Sequence, residues 1–161
     1  MLLFLLAALS GQVTPVQPLP KGTGQPPAIA ADEPAVLAAV QRMFDGLAAR
    51  DPARILAQTL PEGGATVASE GADGARTLRH LSWAAFAAGL HPGPERYAER
   101  LLDPAIEIDG DIAMVWSPYV FTVDGKLQHC GTDHFDLVRE AGAWKVLNVT
   151  WTQRTTGCDA Q

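Results

Sequence analysis

The sequence predicts an α+β fold in which a cone-shaped, curved antiparallel sheet packs against three N-terminal helices. Helical periodicity is confined to the first half of the folded part, and strand-like runs fill residues 106–155 almost without interruption. Asp124-Gly125 joins two of these runs, and Asp-Gly is among the strongest hairpin signals. We therefore expect the helices to precede an antiparallel meander.

Three helices are predicted, at residues 33–50, 52–60 and 82–90. Asp51 and Ser82 are suitable N-caps for the second and third helices, and Pro52 suits a first helical position. The first helix carries one apolar stripe, formed by Val36, Val40, Met43, Phe44 and Leu47. A small hairpin is expected between the second and third helices.

Four long strands are predicted after the helices, at residues 96–108, 112–123, 127–138 and 144–152. The first of them contains Asp103-Pro104. Because proline cannot donate a hydrogen bond to a ladder, this dipeptide marks a bend or a bulge.

The length of 161 residues predicts one domain, at 32–161, preceded by two segments with no fold of their own. Residues 1–10 resemble a signal peptide, with an apolar run and a small-x-small cleavage site at Ala8-Leu9-Ser10. No Lys or Arg precedes the run, so an apolar tag is the alternative. Residues 11–31 contain five prolines and predict a disordered linker. A periplasmic or secreted location is expected.

Charge and motif content exclude several classes of protein. The net charge of −6 disfavours nucleic acid and anionic membranes as partners. No apolar run reaches the roughly 18 residues of a membrane span, so we expect no membrane insertion of the mature domain. Strand alternation separates His129 and Asp133 from Cys130 and His134, which disfavours a metal site. No cofactor is expected.

The C-terminal motifs resemble a known family. They are Ala113-x-Val115-Trp116-Ser117-Pro118-Tyr119, Asp124-Gly125-Lys126-x-x-His129-Cys130-Gly131-x-Asp133-x-Phe135 and Gly142-x-Trp144-Lys145-Val146. Together with the first helix they are similar to the nuclear transport factor 2-like superfamily, and within it to the SnoaL-like group labelled lumazine-binding. The resemblance spans roughly residues 33–154. It implies a conical pocket between the sheet and the helices. Members include isomerases, dehydratases and binding or dimerisation modules, so function must be argued from the site.

Strand alternation predicts which side chains face this pocket. Phe135 and Leu137 must face the helices, which places Asp133 and His129 on the same side. The same reasoning in the neighbouring strands adds further candidates. The predicted ligand contacts are Tyr119, His129, Asp133, Asn148, Thr150 and, from the third helix, Trp83. A β-bulge would move any part of this assignment by one residue.

Three functions remain open. The first is an exported domain that binds a small apolar or aromatic molecule in the pocket. The second is a cofactor-free isomerase or dehydratase, with Asp133 as general base and Tyr119 or His129 as its partner. For each of these residues a purely structural role is the alternative, as is core packing for Trp83.

The third function is a homodimeric assembly module. Alternation places Trp116 and Trp151 on the convex side of the sheet, where two outward indoles would form an adhesive patch. A symmetric homodimer through the sheet is therefore predicted.

The two cysteines predict a disulfide if the chain is exported. The hairpin register places Cys130 opposite Arg154 or its neighbour, about four residues before Cys158. The bridge therefore requires residues 155–157 to turn the tail back over the convex face, and Gly157 permits such a turn.

Overall fold

The structure is a computed structural model that describes residues 32–158. The predicted signal peptide at 1–10 and the predicted linker at 11–31 lie outside the described residues, as do residues 159–161. No helix in the described part is long and apolar enough to cross a bilayer.

Three helices precede most of the sheet. They are α1 (Asp32–Ala49), α2 (Pro52–Gln58) and α3 (Trp83–Ala88). Asp51 caps α2, because its Oδ1 accepts hydrogen bonds from the N–H groups of Ala53 and Arg54 at 2.9 and 3.2 Å. Ser82 caps α3 through its Oγ, which accepts from the N–H of Ala85 at 3.2 Å. The predicted apolar stripe of α1 is the face that the helix buries.

Seven strands form one sheet. They are β1 (Thr59–Glu70), β2 (Arg76–Ser82), β3 (Tyr97–Leu101), β4 (Ala105–Asp109), β5 (Ile112–Val123), β6 (Lys126–Glu140) and β7 (Ala143–Arg154). The order is β2-β1-β7-β6-β5-β3, and β4 also pairs with β5. All pairs are antiparallel except β1 with β7, which run parallel. The predicted α+β architecture is confirmed, and the strand predicted at 96–108 is two strands separated at Asp103-Pro104.

The core lies between α1, α3 and one face of the sheet. Phe44 of α1 meets Phe135 of β6 edge to face, with ring centroids 5.9 Å apart. Val36 and Val40 of α1 are fully buried, as is Val115 of β5. This packing fixes the inward face of β5 and β6 as the sequence predicted it.

A bulge in β7 changes which of its residues face the core. Leu137 pairs with Val146 but Asp136 pairs with Asn148, so Leu147 has no partner on β6. The carbonyl of Leu147 accepts a hydrogen bond from the indole N–H of Trp83 at 2.9 Å. Gly63 of β1 lies against the same carbonyl, where any side chain would collide with it.

The predicted orientations of Asn148, Thr150 and Trp151 are therefore wrong. Beyond the bulge, Val149 and Trp151 face the helices, and Asn148 and Thr150 lie on the opposite face of the sheet. Asn148 instead accepts a hydrogen bond from the N–H of Gly64 at 3.1 Å. The extra residue at Leu147 shifts the alternation by one position.

Only one of the two tryptophans of the proposed dimer patch faces outward. Trp116 is 53% exposed, whereas Trp151 packs against the core and meets Phe86 of α3. The homodimer through the sheet stays a prediction, and of the two tryptophans only Trp116 still supports it.

A disulfide joins Cys130 of β6 to Cys158, with Cα atoms 5.7 Å apart. Cys130 pairs with Arg154 in the ladder, and the chain bends at residues 155–157 to bring Cys158 back. Gly157 makes this bend with a φ of +66°, a conformation that favours glycine. The bridge fixes the end of the chain against the sheet.

We predict that the native, unreduced protein contains no titratable thiol after denaturation. Replacing Cys158 with Ser should lower the free energy of unfolding by about 2–4 kcal/mol, because the unfolded chain loses a cross-link. Denaturant titration with and without reductant measures the effect. Two free thiols in unreduced material would contradict the bridge.

Candidate functional site

A cavity of about 160 Å³ lies between α1, α3 and the inward face of the sheet. Most of its wall is apolar. The helices contribute Met43, Phe44, Leu47 and Phe86, and the strands contribute Phe121, Phe135, Val149 and Trp151. Leu47, Phe86 and Trp151 are only partly buried, so the cavity opens to solvent on their side.

Four polar side chains complete the wall: Glu99, His129, Asp133 and Gln153. Two of them are acids, and no Lys or Arg of residues 32–158 lines this cavity. Asp133 and His129 lie where strand alternation predicted them. Glu99 was not predicted, although its spacing from Tyr97 and Leu101 in β3 gives a period-2 signal.

The carboxyl groups of Glu99 and Asp133 lie close enough together for a hydrogen bond between them to influence the pKa of each. They come from β3 and β6, which flank β5 on either side. Asp133 is only 2% exposed, and its Oδ2 is buried without a hydrogen-bond partner among the described residues. A hydrogen bond between two carboxyl groups requires that one of them carry a proton.

Burial is the main reason that both carboxyls resist ionisation. It raises the pKa of Glu99 to about 7, and the hydrogen bond from Asp133 partly offsets this. Burial, with the neighbouring charge of Glu99 and their hydrogen bond, raises the pKa of Asp133 to about 10. At neutral pH the pair therefore holds its proton on Asp133, which donates it to Glu99.

His129 is held in one orientation by two aromatic neighbours. Its ring stacks on Phe121, with centroids 4.6 Å apart and planes 11° from parallel. Its Nδ1 lies 3.0 Å from the hydroxyl of Tyr119, and that hydroxyl donates to the carbonyl of Thr152 at 3.1 Å. Because the phenol has one proton, Nδ1–H must be the donor to Tyr119. Burial lowers the pKa of His129, so the ring is neutral and Nε2 is an acceptor.

Tyr119 does not line the cavity and acts on the site only through its hydrogen bond with His129. Its partner across β5 and β6 is Gly131, which lacks a side chain and lies close to the carbonyl of Thr152. Burial first, and then the charges of Asp133 and Glu99, raise the pKa of Tyr119. The phenol therefore stays protonated and fixes His129.

The other predicted ligand contacts lie away from the cavity. Asn148 and Thr150 are on the opposite face of the sheet, and Trp83 is a core residue whose N–H is already bonded to Leu147. No group of three or more metal-ligating side chains occurs among residues 32–158.

A family model described as "Putative lumazine-binding" matches residues 31–152. The chain belongs to this family. The match spans all of the cavity-lining residues except Gln153. No curated protein matches the sequence significantly.

Solved structures described as nuclear transport factor 2-like share the fold of this chain. One is a nuclear transport factor 2-like protein from Cytophaga hutchinsonii, with TM-score 0.61, 14% identity, and coverage of 74% of this chain and 96% of that one. Another, from Novosphingobium aromaticivorans, is described as a nuclear transport factor 2-like protein with a cystatin-like fold. Its TM-score is 0.59 and its identity 15%, and the match covers 81% of this chain and 86% of that one. A third is a nuclear transport factor 2-like protein of unknown function from Shewanella baltica. Its TM-score is 0.55 and its identity 16%, and the match covers 78% of this chain and 95% of that one. At these identities the likeness shows the fold alone.

We predict that the protein is less stable at alkaline pH. Folding raises the pKa of Glu99 from 4.5 to about 7 and the pKa of Asp133 from 3.8 to about 10. Between the ordinary and the raised pKa of each residue, the native state binds more protons than the unfolded chain. The stabilisation is thus present at low pH and lost as pH rises through this window, by up to about 1.4 kcal/mol per pH unit for each such group. Denaturant titrations across this window measure the fall.

Asp133→Asn should make this pH dependence shallower, because it removes one of the two groups. Asp136→Asn is the matched control, since Asp136 lies on the opposite face of the same strand and is half-exposed. Equal pH slopes in the wild type and in Asp133→Asn would contradict the assignment.

Proposed function

We propose that the cavity binds a small, single-ring apolar or aromatic molecule whose one polar group contacts the Glu99–Asp133 pair. The observation that carries this proposal is the position of two neighbouring carboxyls, Glu99 and Asp133, in the wall of an otherwise mostly apolar cavity. A polar group that loses contact with water is costly unless it gains a hydrogen-bond partner, so the carboxyl pair favours a ligand with a polar group at that end of the cavity.

The size of the cavity supports a single-ring ligand. Its volume is about 160 Å³, and an engineered apolar cavity of about 150 Å³ in another protein holds one benzene molecule. Pockets for drug-sized ligands are larger, at about 300–1,000 Å³. Membership in a family described as lumazine-binding supports small-molecule binding in general.

A second candidate is a proton-transfer isomerase or dehydratase, and the unequal environments of the two carboxyls favour it. Catalytic acids and bases are commonly found as titratable pairs whose pKa values are pushed apart. In this candidate the base is Glu99, which ionises near neutral pH, and not Asp133 as expected from the sequence. As Glu99 takes the proton of the substrate, Asp133, which retains its own proton, turns its hydrogen bond from Glu99 to the developing oxyanion.

Export to the periplasm or the cell exterior remains part of the proposal. Disulfides persist in oxidising compartments, and the Cys130–Cys158 bridge fits that setting. The apolar run at residues 2–9 is a second, independent reason. Free thiols in native material would contradict export together with the bridge.

We predict that single-ring molecules such as benzyl alcohol and benzylamine raise the melting temperature. A ligand at 100 times its dissociation constant adds about 2.7 kcal/mol of stability, which corresponds to several degrees for a domain of this size. Leu47→Trp should abolish the shift, because the larger side chain fills the cavity.

Leu56→Trp is the matched control for this substitution. Leu56 is 44% exposed on α2 and does not line the cavity. Its variant should bind like the wild type. If Leu47→Trp retained full binding, the ligand would not occupy this cavity.

If the protein is a proton-transfer isomerase, we predict that it converts 3-cyclohexenone to its conjugated isomer. Glu99 takes a proton from the carbon between the carbonyl and the double bond and returns it to the γ-carbon. The rate should rise with pH through about 7 as Glu99 ionises. Glu99→Gln should reduce it by about 100-fold or more. Absorbance of the conjugated enone measures the rate, and a rate no higher than that in buffer would eliminate this candidate.

A further inference from the structure

We propose that the ligand of this cavity is a cation, a protonated amine attached to a single aromatic ring, which binds with its ammonium group between Glu99 and Asp133. This inference rests on the proposed function and assigns the chemical class of the ligand. It follows from the charge balance of the cavity wall, from the number of acceptors on it and from its aromatic lining.

The charge balance of the cavity is negative and uncompensated. The wall contains two acids, Glu99 and Asp133. None of the described Lys or Arg side chains lines the cavity to neutralise them. The nearby Arg50 lies over the ring of Tyr97 and is engaged with Glu95 and with the carbonyl of His91. Buried charges are normally paired, so an anionic ligand would be repelled and a cationic ligand would supply the missing partner.

The hydrogen-bonding groups on the wall match a primary ammonium. Such a group has three N–H donors and no acceptor. Three side chains of the wall can accept from them: the carboxyl groups of Glu99 and Asp133, and the imidazole of His129 through its Nε2. Nε2 is unprotonated because the one proton of the neutral ring is on Nδ1, which donates a hydrogen bond to the hydroxyl oxygen of Tyr119.

The aromatic wall suits both parts of such a ligand. Phe121 is the ladder partner of both Glu99 and His129, and Trp151 is the ladder partner of Asp133. Phe44, Phe86 and Phe135 also line the cavity. Aromatic faces attract a cation through their quadrupole, most strongly when water is excluded. The same rings provide the apolar contact for the ring of the ligand.

Binding of a cation must displace the proton that the two carboxyls share. The bound positive charge favours the ionised form of both acids, so the proton leaves Asp133 and passes to solvent. Of the other titratable groups on this face, His129 is already neutral and Tyr119 stays protonated. The residues that α1 and α3 contribute are apolar, so only the carboxyl pair can release the proton.

The test is isothermal titration calorimetry at pH 7 with three benzyl compounds of nearly equal size. Benzylamine is cationic, benzyl alcohol neutral and benzoate anionic. We expect benzylamine to bind at least about tenfold more tightly than benzyl alcohol, as for a hydrogen bond between charged groups, and benzoate to bind most weakly. Repeating the titration in buffers with different ionisation enthalpies should show proton release with benzylamine and none with benzyl alcohol.

Two variants and one control locate the effect. Glu99→Gln and Asp133→Asn should each remove the preference for benzylamine, and Asp136→Asn should keep it. The comparison of ligands in the wild type needs no variant, so it stands if a variant fails to fold. Benzyl alcohol binding as tightly as benzylamine would overturn the cation inference and leave the proposed function intact. If none of the three bound, the proposed function itself would fail.

Discussion

The candidate site depends on two carboxyl groups that share a cavity with an otherwise mostly apolar wall. Moving a charged carboxylate out of water is costly, and here no basic side chain of the described residues lines the cavity to offset the cost. Glu99 and Asp133 meet this constraint by sharing a proton, which keeps the pair at a single negative charge or less near neutral pH. One oxygen, Oδ2 of Asp133, is nevertheless left without a partner. Both the proposed ligand and the alternative chemistry follow from this arrangement.

The fold provides the positions that make the pair possible. β5 lies between β3 and β6, and Glu99 of β3 and Asp133 of β6 line the same cavity on one face of the sheet. Glu99 pairs with Phe121 across one ladder, and Phe121 pairs with His129 across the next, which aligns the three side chains in one row. The helices contribute Phe44 and Phe86 to the opposite wall of the cavity. The bridge between Cys130 and Cys158 fixes the chain end next to this row.

The sequence predicts the architecture and the inward face of β6 because those depend on local patterns. Phe135 and Leu137 set the phase of that strand, and no irregularity separates them from Asp133. The phase of β7 could not be predicted, since its bulge at Leu147 depends on contacts with Trp83 and Gly63, which are distant in sequence. That one residue reversed the orientations expected for Asn148, Thr150 and Trp151. Glu99 was missed although its spacing from Tyr97 and Leu101 was visible, because a short strand before a proline bend gives a weak signal.

The most direct test of the central claim is a titration of the side-chain carboxyl carbons of Glu99 and Asp133 by nuclear magnetic resonance. Residue assignments follow from Glu99→Gln and Asp133→Asn. The account predicts that one carboxyl titrates near neutral pH and that the other stays protonated well above it, as the values of about 7 and about 10 require. Two ordinary titrations, near the unperturbed values of 4.5 and 3.8, would show that the carboxyls are solvated and separately charged, and would contradict the account.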